Sequence, residues 1–190
     1  MVTPGGSLGS WNWRTIVGNM FPLLIGLSIV VLVAGIRLEG ARAFLEEYGV
    51  LAVMVPTMVD MGGNLGAILS ARLSTRFHLG RTELDPREPE LWANILAIIA
   101  LAATIFTALA FGAYLLGSLT GSTLSLTTLL AISLLSGLSL AVVAVVFSFG
   151  ATYVSYQLGI DPDDTTIPIV TNVVDVFGMV IFVGVSTWLL

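Results

Sequence analysis

One carboxylate interrupts a long apolar segment in the first half of the chain. In "VPTMVDMGGNLGAIL", Pro56, Asp60 and Asn64 are spaced four residues apart, which places them on one face of a helix. Pro56 and the pair Gly62 and Gly63 predict a local distortion of that helix, and a distorted turn frees backbone carbonyls as cation ligands. The segment therefore presents carboxylate, amide and carbonyl oxygens on one side.

A second carboxylate stands in the last apolar segment. In "TTIPIVTNVVDVFGMVIFVG", Pro168, Thr171, Asn172 and Asp175 recur at three- and four-residue spacing, so they also share one side of a helix. Two segments of the chain thus carry proline, amide and carboxylate in the same arrangement.

A carboxylate at membrane depth costs a few kcal/mol and normally faces a cavity or a partner. Three alternatives to a cation site are open. Asp60 or Asp175 is protonated and hydrogen-bonded; one pairs with Arg37, Arg42 or Arg72 near a segment end; or Asp60 lies at the membrane surface. The central part of each apolar segment contains no Lys or Arg, which favours an external cation as the counter-charge.

The available ligands narrow the choice of cation. Carboxylate, amide, hydroxyl and carbonyl oxygens suit magnesium, manganese or calcium, and magnesium often keeps much of its water. The sequence has no cysteine and one histidine, His78 in "RLSTRFHLGR", which we assign to a loop. This set predicts a hard divalent cation and gives no indication of catalytic residues, so we expect no enzymatic activity.

The elements that must position these residues are membrane-spanning helices. Hydrophobic residues make up 56% of the 190 and charged residues 10%, against about a quarter charged in soluble domains. Apolar runs long enough to cross a bilayer, about 20 residues each, lie at 15–36, 48–71, 91–116, 128–156 and 166–190. We predict an all-α membrane protein of five transmembrane helices, forming a single transmembrane domain over 1–190, with no contact to nucleic acid.

The distribution of arginine predicts the orientation. Five of the seven basic residues flank the first span's start or follow the second span: Arg14, Arg72, Arg76, Arg81 and Arg87. Arg37 and Arg42 lie between the first two spans. The positive-inside rule then places the N-terminus in the cytoplasm and the C-terminus outside.

Small residues predict where the helices pack, because they let backbones approach closely in lipid. One stripe lies in the fourth span: Gly137, Ala141, Ala144, Ser148 and Thr152. Another lies in the third span: Ala93, Ala97, Ala100, Thr104 and Thr107. We interpret both as helix contacts.

Two stretches resemble the signatures of the MgtE magnesium channels and of their eukaryotic solute-carrier relatives. "MVPTMVDMGGNLGAILSARLSTRFHLG" is similar to the second-helix signature, a proline followed by a Gly-Asn pair and a stretch of small residues that ends in arginine. "GIDPDDTTIPIVTNVVDVFG" resembles the second signature, which ends in an aspartate of the last helix. The resemblance implies an MgtE-type transmembrane domain with the N-in, C-out topology, closest to the solute carrier family 41 branch.

The resemblance also implies roles for particular residues. Asp175 corresponds to the last-helix aspartate that binds magnesium in the pore, and Gly63 and Asn64 to the Gly-Asn pair. The sequence departs from the bacterial pattern at Ile68, where glutamine is common. About a dozen residues precede the first span, so we expect no cytoplasmic magnesium-sensor domain. Solute-carrier members carry two five-helix units, whereas this chain shows one.

These observations predict a multi-pass protein of the cell membrane that works as a homodimer and transports a divalent cation, with Mg²⁺ the first candidate and Mn²⁺ or Ca²⁺ the alternatives. Two Asp175 carboxylates would match the charge of one ion, and Asn172 and the backbone carbonyl of Thr171 would orient its retained water. Asp60 and Asn64 would line the same path at another depth. A sodium- or proton-coupled divalent cation exchanger and a non-transporting membrane subunit remain the alternatives.

The acidic stretch "GIDPDDTT" precedes the last span. Asp161, Asp163 and Asp164 would raise the local cation concentration at a pore mouth, or Asp164 or Thr165 would cap the following helix. We favour capping.

Overall fold

The computed structural model describes residues 13–79, 87–121 and 124–190, and the regular structure in these ranges is helical. The helices are α1 Trp13–Gly40, α2 Arg42–Glu47, α3 Gly49–His78, α4 Pro89–Thr120, α5 Leu126–Gln157 and α6 Pro162–Leu189. All except α2 contain a stretch long and apolar enough to cross a membrane. The predicted all-α architecture with five spanning helices is confirmed.

The helix ends follow local chemistry. At the start of α5, Ser125 Oγ accepts a hydrogen bond from the Thr128 amide at 3.1 Å, so one of the unpaired first-turn donors is satisfied. Pro89 stands in the first turn of α4, where its missing N–H costs nothing. That helix ends at Gly121, whose φ of 82° is a left-handed conformation that glycine adopts without strain.

The helices α3, α5 and α6 form the centre of the molecule, α4 packs against α5 and α3, and α1 packs against α6. Phe77 at the end of α3 contacts Tyr156 at the end of α5, with ring centroids 5.0 Å apart. His78 Nε2 lies 3.5 Å from Asp161 Oδ1, just before α6 begins. We call this surface the α3–α4 side, and the opposite surface, which carries α2, the α2 side.

Small residues bring the central helices together. The predicted stripe on α5 is buried along its whole length, which confirms it as a packing face. A Cβ on Gly66 would lie 2.6 Å from Val170 Cγ1, and one on Gly62 would overlap the Leu140 side chain. A Cβ at either position would force the neighbouring side chain to move, so glycine allows α5 and α6 to approach the α3 backbone closely here.

The predicted packing stripe on the third span does not form a buried helix contact within the chain. Four of its members are exposed and the fifth, Thr107, is half-buried. The buried face of α4 instead consists of Leu91, Ile98, Ala102, Phe106, Ala110, Ala113 and Gly117. Lipid-facing and packed faces of a membrane helix are both apolar, so small residues alone do not identify the buried face.

Several local predictions need correction. The helix α3 runs continuously through Pro56 and through the glycine pair, so the distortion predicted there does not interrupt the helix. His78 is the last residue of α3 and not part of a loop. The short helix α2 was not predicted.

The predicted cap of the last helix is also wrong. Because α6 begins at Pro162, Asp164 and Thr165 lie inside its first turn. Thr165 Oγ1 instead donates to the Asp161 carbonyl at 3.2 Å. The side chains of Asp163 and Asp164 lie outside the described part of the chain.

Candidate cation site

Asp60 and Asp175 line one cavity of about 600 Å³ between α1, α2, α3 and α6. Its other walls are apolar apart from backbone: Leu38, Leu45, Ala52, Val55, Pro56, Val59 and Met179. One chain thus brings two carboxylates from two helices to the same space. The sequence-based prediction pairs the Asp175 carboxylates of two chains to balance one divalent cation. In the structure, Asp60 lies in the same cavity as Asp175, so one chain already provides two carboxylates.

Both carboxylates lie near the middle of their helices. Asp60 is 11 residues from the start of α3 at Gly49, or about 16 Å at 1.5 Å per residue. Asp175 is 10 residues from the start of its apolar span at Thr165, or about 15 Å by the same rise. The hydrocarbon core is about 30 Å thick, so a bilayer whose surfaces lie at these two starts has both carboxylates in its central part.

A glycine of α3 makes room for the α6 carboxylate. A Cβ on Gly63 would lie 3.5 Å from Asp175 Oδ1 and 3.9 Å from Thr171 Cβ. Asp175 therefore packs beside the α3 backbone at Gly63, and Gly63 itself lies less than one helical turn after Asp60. The structure brings together four of the predicted site residues here: Asp60, Gly63, Thr171 and Asp175.

The Asn64 amide belongs to the same group. Its Nδ2 donates to Asp60 Oδ2 at 3.2 Å, across one helical turn, and both side chains are exposed in the single chain. The bond orients the Asp60 carboxylate and leaves the Asn64 carbonyl oxygen as a further acceptor.

Thr171 and Asn172 direct their donors into their own helix. Thr171 Oγ1 donates to the Ile167 carbonyl at 3.0 Å, and Asn172 Nδ2 donates to the Pro168 carbonyl at 2.8 Å. Both residues are half-buried. The Thr171 hydroxyl hydrogen and one of the two Asn172 amide hydrogens are thus used, and the hydroxyl and amide oxygens remain as acceptors.

Arginine does not account for the two carboxylates. Arg42 bonds to Glu46 at 2.7 Å and lies 3.5 Å from Glu39, and Arg72 bonds to Asn94 at 3.0 Å. Among the described residues that line the cavity, none is basic. The alternative of an arginine pair therefore fails for these two of the three arginines considered.

The donor set fits an ion that keeps its water. Within the described parts of one chain, no group of three or more His, Cys, Asp or Glu side chains could hold a metal. Magnesium usually keeps several waters and binds through one or two carboxylates, and neighbouring amide and hydroxyl oxygens can accept hydrogen bonds from such waters. The cavity is large enough for such a hydrated ion.

Residues 55–185 match the family model MgtE, described as a divalent cation transporter. The chain belongs to this family. The matched range contains every predicted site residue; it includes all of α4 and α5 and the parts of α3 and α6 that carry the two carboxylates.

A curated relative supports the same placement. The chain is 26% identical to mouse solute carrier family 41 member 3 over an alignment that covers 90% of this chain and 38% of the relative. This MgtE-family chain thus spans less than half the length of the mouse protein.

Sequence reasoning missed the α2 side of the cavity. Leu38 and Leu45 close it from α1 and α2, and Met179 from α6. The sequence gives little indication of this helix, because α2 has only six residues, three of them charged, and is too short to show a helical repeat of hydrophobic residues. The burial of Leu45 comes from tertiary contact that composition does not reveal.

Proposed function

We propose that this chain transports a divalent cation, with magnesium as the first substrate, across the cell membrane. The observation that carries the proposal is the pair of carboxylates, Asp60 and Asp175, that line one cavity at mid-membrane depth with no basic residue among its described walls. Uncompensated carboxylates are costly there, and a cation that passes through offsets the cost.

We further propose that two copies form the path together. Asp60, Asn64 and Pro56 are exposed on one face of α3 in the single chain, so the cavity is open on this side and its polar groups would face lipid unless something covers them. A second copy related by a two-fold axis covers this side with the same face and closes the assembly. The length of the mouse relative, which leaves room for a second unit of this size, is compatible with such a pair.

Within this proposal Asp175 and Asp60 are the charged ligands of the path. Asn64, Thr171 and Asn172 supply oxygens that accept hydrogen bonds from the ion's water, and Gly63 keeps α3 clear of the Asp175 carboxylate. The excess of arginine on the α3–α4 side supports a cytoplasmic location for that side.

The test is magnesium uptake into liposomes that contain the purified protein, with and without sodium and pH gradients. The wild type should take up magnesium. Asp175→Asn preserves the side-chain shape but removes the charge, and should reduce uptake tenfold or more while the protein still folds and dimerises. Glu47→Gln is the matched control, because it removes one carboxylate from the exposed end of α2 and should leave uptake unchanged.

The other outcomes separate the alternatives. Uptake that requires a sodium or proton gradient would identify a coupled exchanger. Absence of divalent uptake in the wild type would indicate a non-transporting subunit. Normal uptake through Asp175→Asn would contradict the proposed role of this carboxylate.

A further inference from the structure

A proline in α3 deprives one backbone carbonyl of its helical partner. The helix continues from Gly49 to His78 with Pro56 inside it. In an α-helix the carbonyl of residue 52 accepts a hydrogen bond from the N–H of residue 56, and proline has no N–H. The Ala52 carbonyl therefore lacks its usual donor.

This carbonyl belongs to the cavity of the two carboxylates. Ala52, Pro56 and Asp60 follow one another at four-residue spacing, and all three line the space that Asp175 also lines. Ala52 and Pro56 are exposed, so the position is accessible from the cavity. The residues around it are mostly apolar, so an unpaired carbonyl is an exceptional polar group there.

The directions of the groups bring the two oxygens toward each other. Carbonyls of an α-helix point toward its C-terminus, whereas side chains lean toward its N-terminus. The Ala52 carbonyl thus points along α3 toward Asp60, and the Asp60 side chain leans back toward Ala52. Their Cα atoms are two turns apart, about 12 Å at 1.5 Å per residue.

We propose that the Ala52 carbonyl is a ligand position for a hydrated divalent cation, on the α2 side of Asp60 and Asp175. The inference rests on the proposed transport function and adds a site to it. Direct bonds from oxygen to magnesium or calcium measure about 2.0 to 2.6 Å, too short to join oxygens this far apart through one bare ion. The carbonyl therefore accepts a hydrogen bond from the ion's water while the carboxylates balance its charge.

The site gives a role to the proline. Between Asp60 and the α2 side, the cavity walls are Leu38, Leu45, Val55 and Met179, whose side chains offer no oxygen. A cation that enters or leaves here would lose contact with polar groups unless the backbone supplied one. Pro56 supplies it by leaving the Ala52 carbonyl unpaired.

Another proline of the chain serves as a matched control. Pro22 lies inside α1 and removes the donor of the Gly18 carbonyl in the same way. It is exposed and stands 16 residues from Leu38, the residue through which α1 reaches the cavity, or about 24 Å along the helix. Replacing Pro22 thus restores a helical hydrogen bond without touching the cavity.

The experiment compares Pro56→Ala with Pro22→Ala in liposome uptake and in manganese binding to the purified protein in nanodiscs. Pro56→Ala restores the hydrogen bond to Ala52 and should weaken manganese binding and raise the KM of uptake by about two- to tenfold, the range for loss of one hydrogen bond. Pro22→Ala should leave both unchanged. Both variants should unfold at the same or a higher temperature than the wild type.

A second modification separates the carbonyl from the shape of the helix. An ester in place of the amide between Ala52 and Val53 weakens the Ala52 carbonyl as an acceptor and leaves Pro56 in place. It should weaken manganese binding as Pro56→Ala does, whereas the same exchange between Val53 and Met54 should not. An effect of Pro56→Ala without an effect of the first ester would show that Pro56 acts through helix shape, and would overturn the proposal.

Failure of this inference differs from failure of the transport function. If the wild type takes up magnesium and Asp175→Asn does not, but Pro56→Ala and the ester behave as wild type, the Ala52 site is wrong and the function stands. If the wild type shows no uptake and no manganese binding, the proposed function fails, and this site fails with it.

Discussion

The α4–α5 and α3–α6 contacts both rely on glycine, but only the second contains a charged side chain and borders a cavity. Between α4 and α5, the Phe106 ring occupies the space where Gly137 would carry a Cβ, and Ser133 Oγ donates to the Phe106 carbonyl at 2.6 Å. Between α3 and α6, Gly63 faces the Asp175 carboxylate at ordinary contact distance. The first contact is sealed and uncharged, whereas the second borders a cavity.

The difference indicates what each contact contributes. Hydrophobicity does not hold helices together in lipid, so close packing and buried hydrogen bonds must do so. The α4–α5 contact provides both and stabilises the fold. The α3–α6 contact is tight at Gly62 and Gly66 and looser at Gly63, where the Asp175 carboxylate lies.

We expect the largest difference in stability between the two contacts when one methyl group is added to each. Gly137→Ala places a Cβ inside the Phe106 ring and should lower the free energy of unfolding by about 1–3 kcal/mol, as overpacking does. Gly63→Ala meets Asp175 at 3.5 Å and should leave stability unchanged or raise it by up to about 1 kcal/mol, since alanine favours helix over glycine. Thermal unfolding in detergent measures both.

For magnesium uptake we expect the reverse order, with the larger loss in Gly63→Ala and not in Gly137→Ala. Gly63→Ala introduces a methyl group beside the Asp175 carboxylate and should reduce magnesium uptake, whereas the folded fraction of Gly137→Ala should transport normally. A Gly63→Ala protein with normal uptake, or one less stable than Gly137→Ala, would show that Gly63 serves packing alone.

The smallest effect should come from a hydroxyl of the sealed contact. Ser133→Ala removes the hydrogen bond to Phe106 and should lower the free energy of unfolding by about 0.6 kcal/mol, the average for interhelical hydrogen bonds in a membrane protein. Uptake per folded molecule should not change. Ser28→Ala is the control, because the Ser28 hydroxyl bonds within α1 to the Leu24 carbonyl, and its removal should have less effect. A loss of uptake in Ser133→Ala would place the α4–α5 contact in the transport path.

Much of the fold was predictable because the bilayer constrains it strongly. A backbone in hydrocarbon must satisfy its own hydrogen bonds, which leaves helices and closed barrels, and the long apolar runs lack the alternation of barrel strands. The carboxylates were also predictable, since Asp60 and Asp175 are the acidic residues with apolar sequence on both sides. The four-residue spacing of Asp60 from Asn64 and of Asp175 from Thr171 placed these neighbours on the right helix face.

The remainder depended on contacts that hydropathy does not encode. The second span was predicted to end at residue 71, yet α3 continues to His78, because a hydrophobic run marks the bilayer and a helix can extend beyond it. The packed face of α4 was misassigned since both of its faces are apolar. That Asp60 and Asp175 meet in one cavity follows from the close approach at Gly62 and Gly66, which no periodicity in either helix predicts.

The most direct test is to locate a bound divalent cation. Manganese suits the same oxygen ligands as magnesium, and its anomalous diffraction would identify its position in crystals of the protein. We expect a peak in the cavity between Asp60 and Asp175, absent from crystals of Asp60→Asn combined with Asp175→Asn. A manganese peak elsewhere in the membrane region that persists in the double variant, with none between these two carboxylates, would contradict their assignment as the cation site.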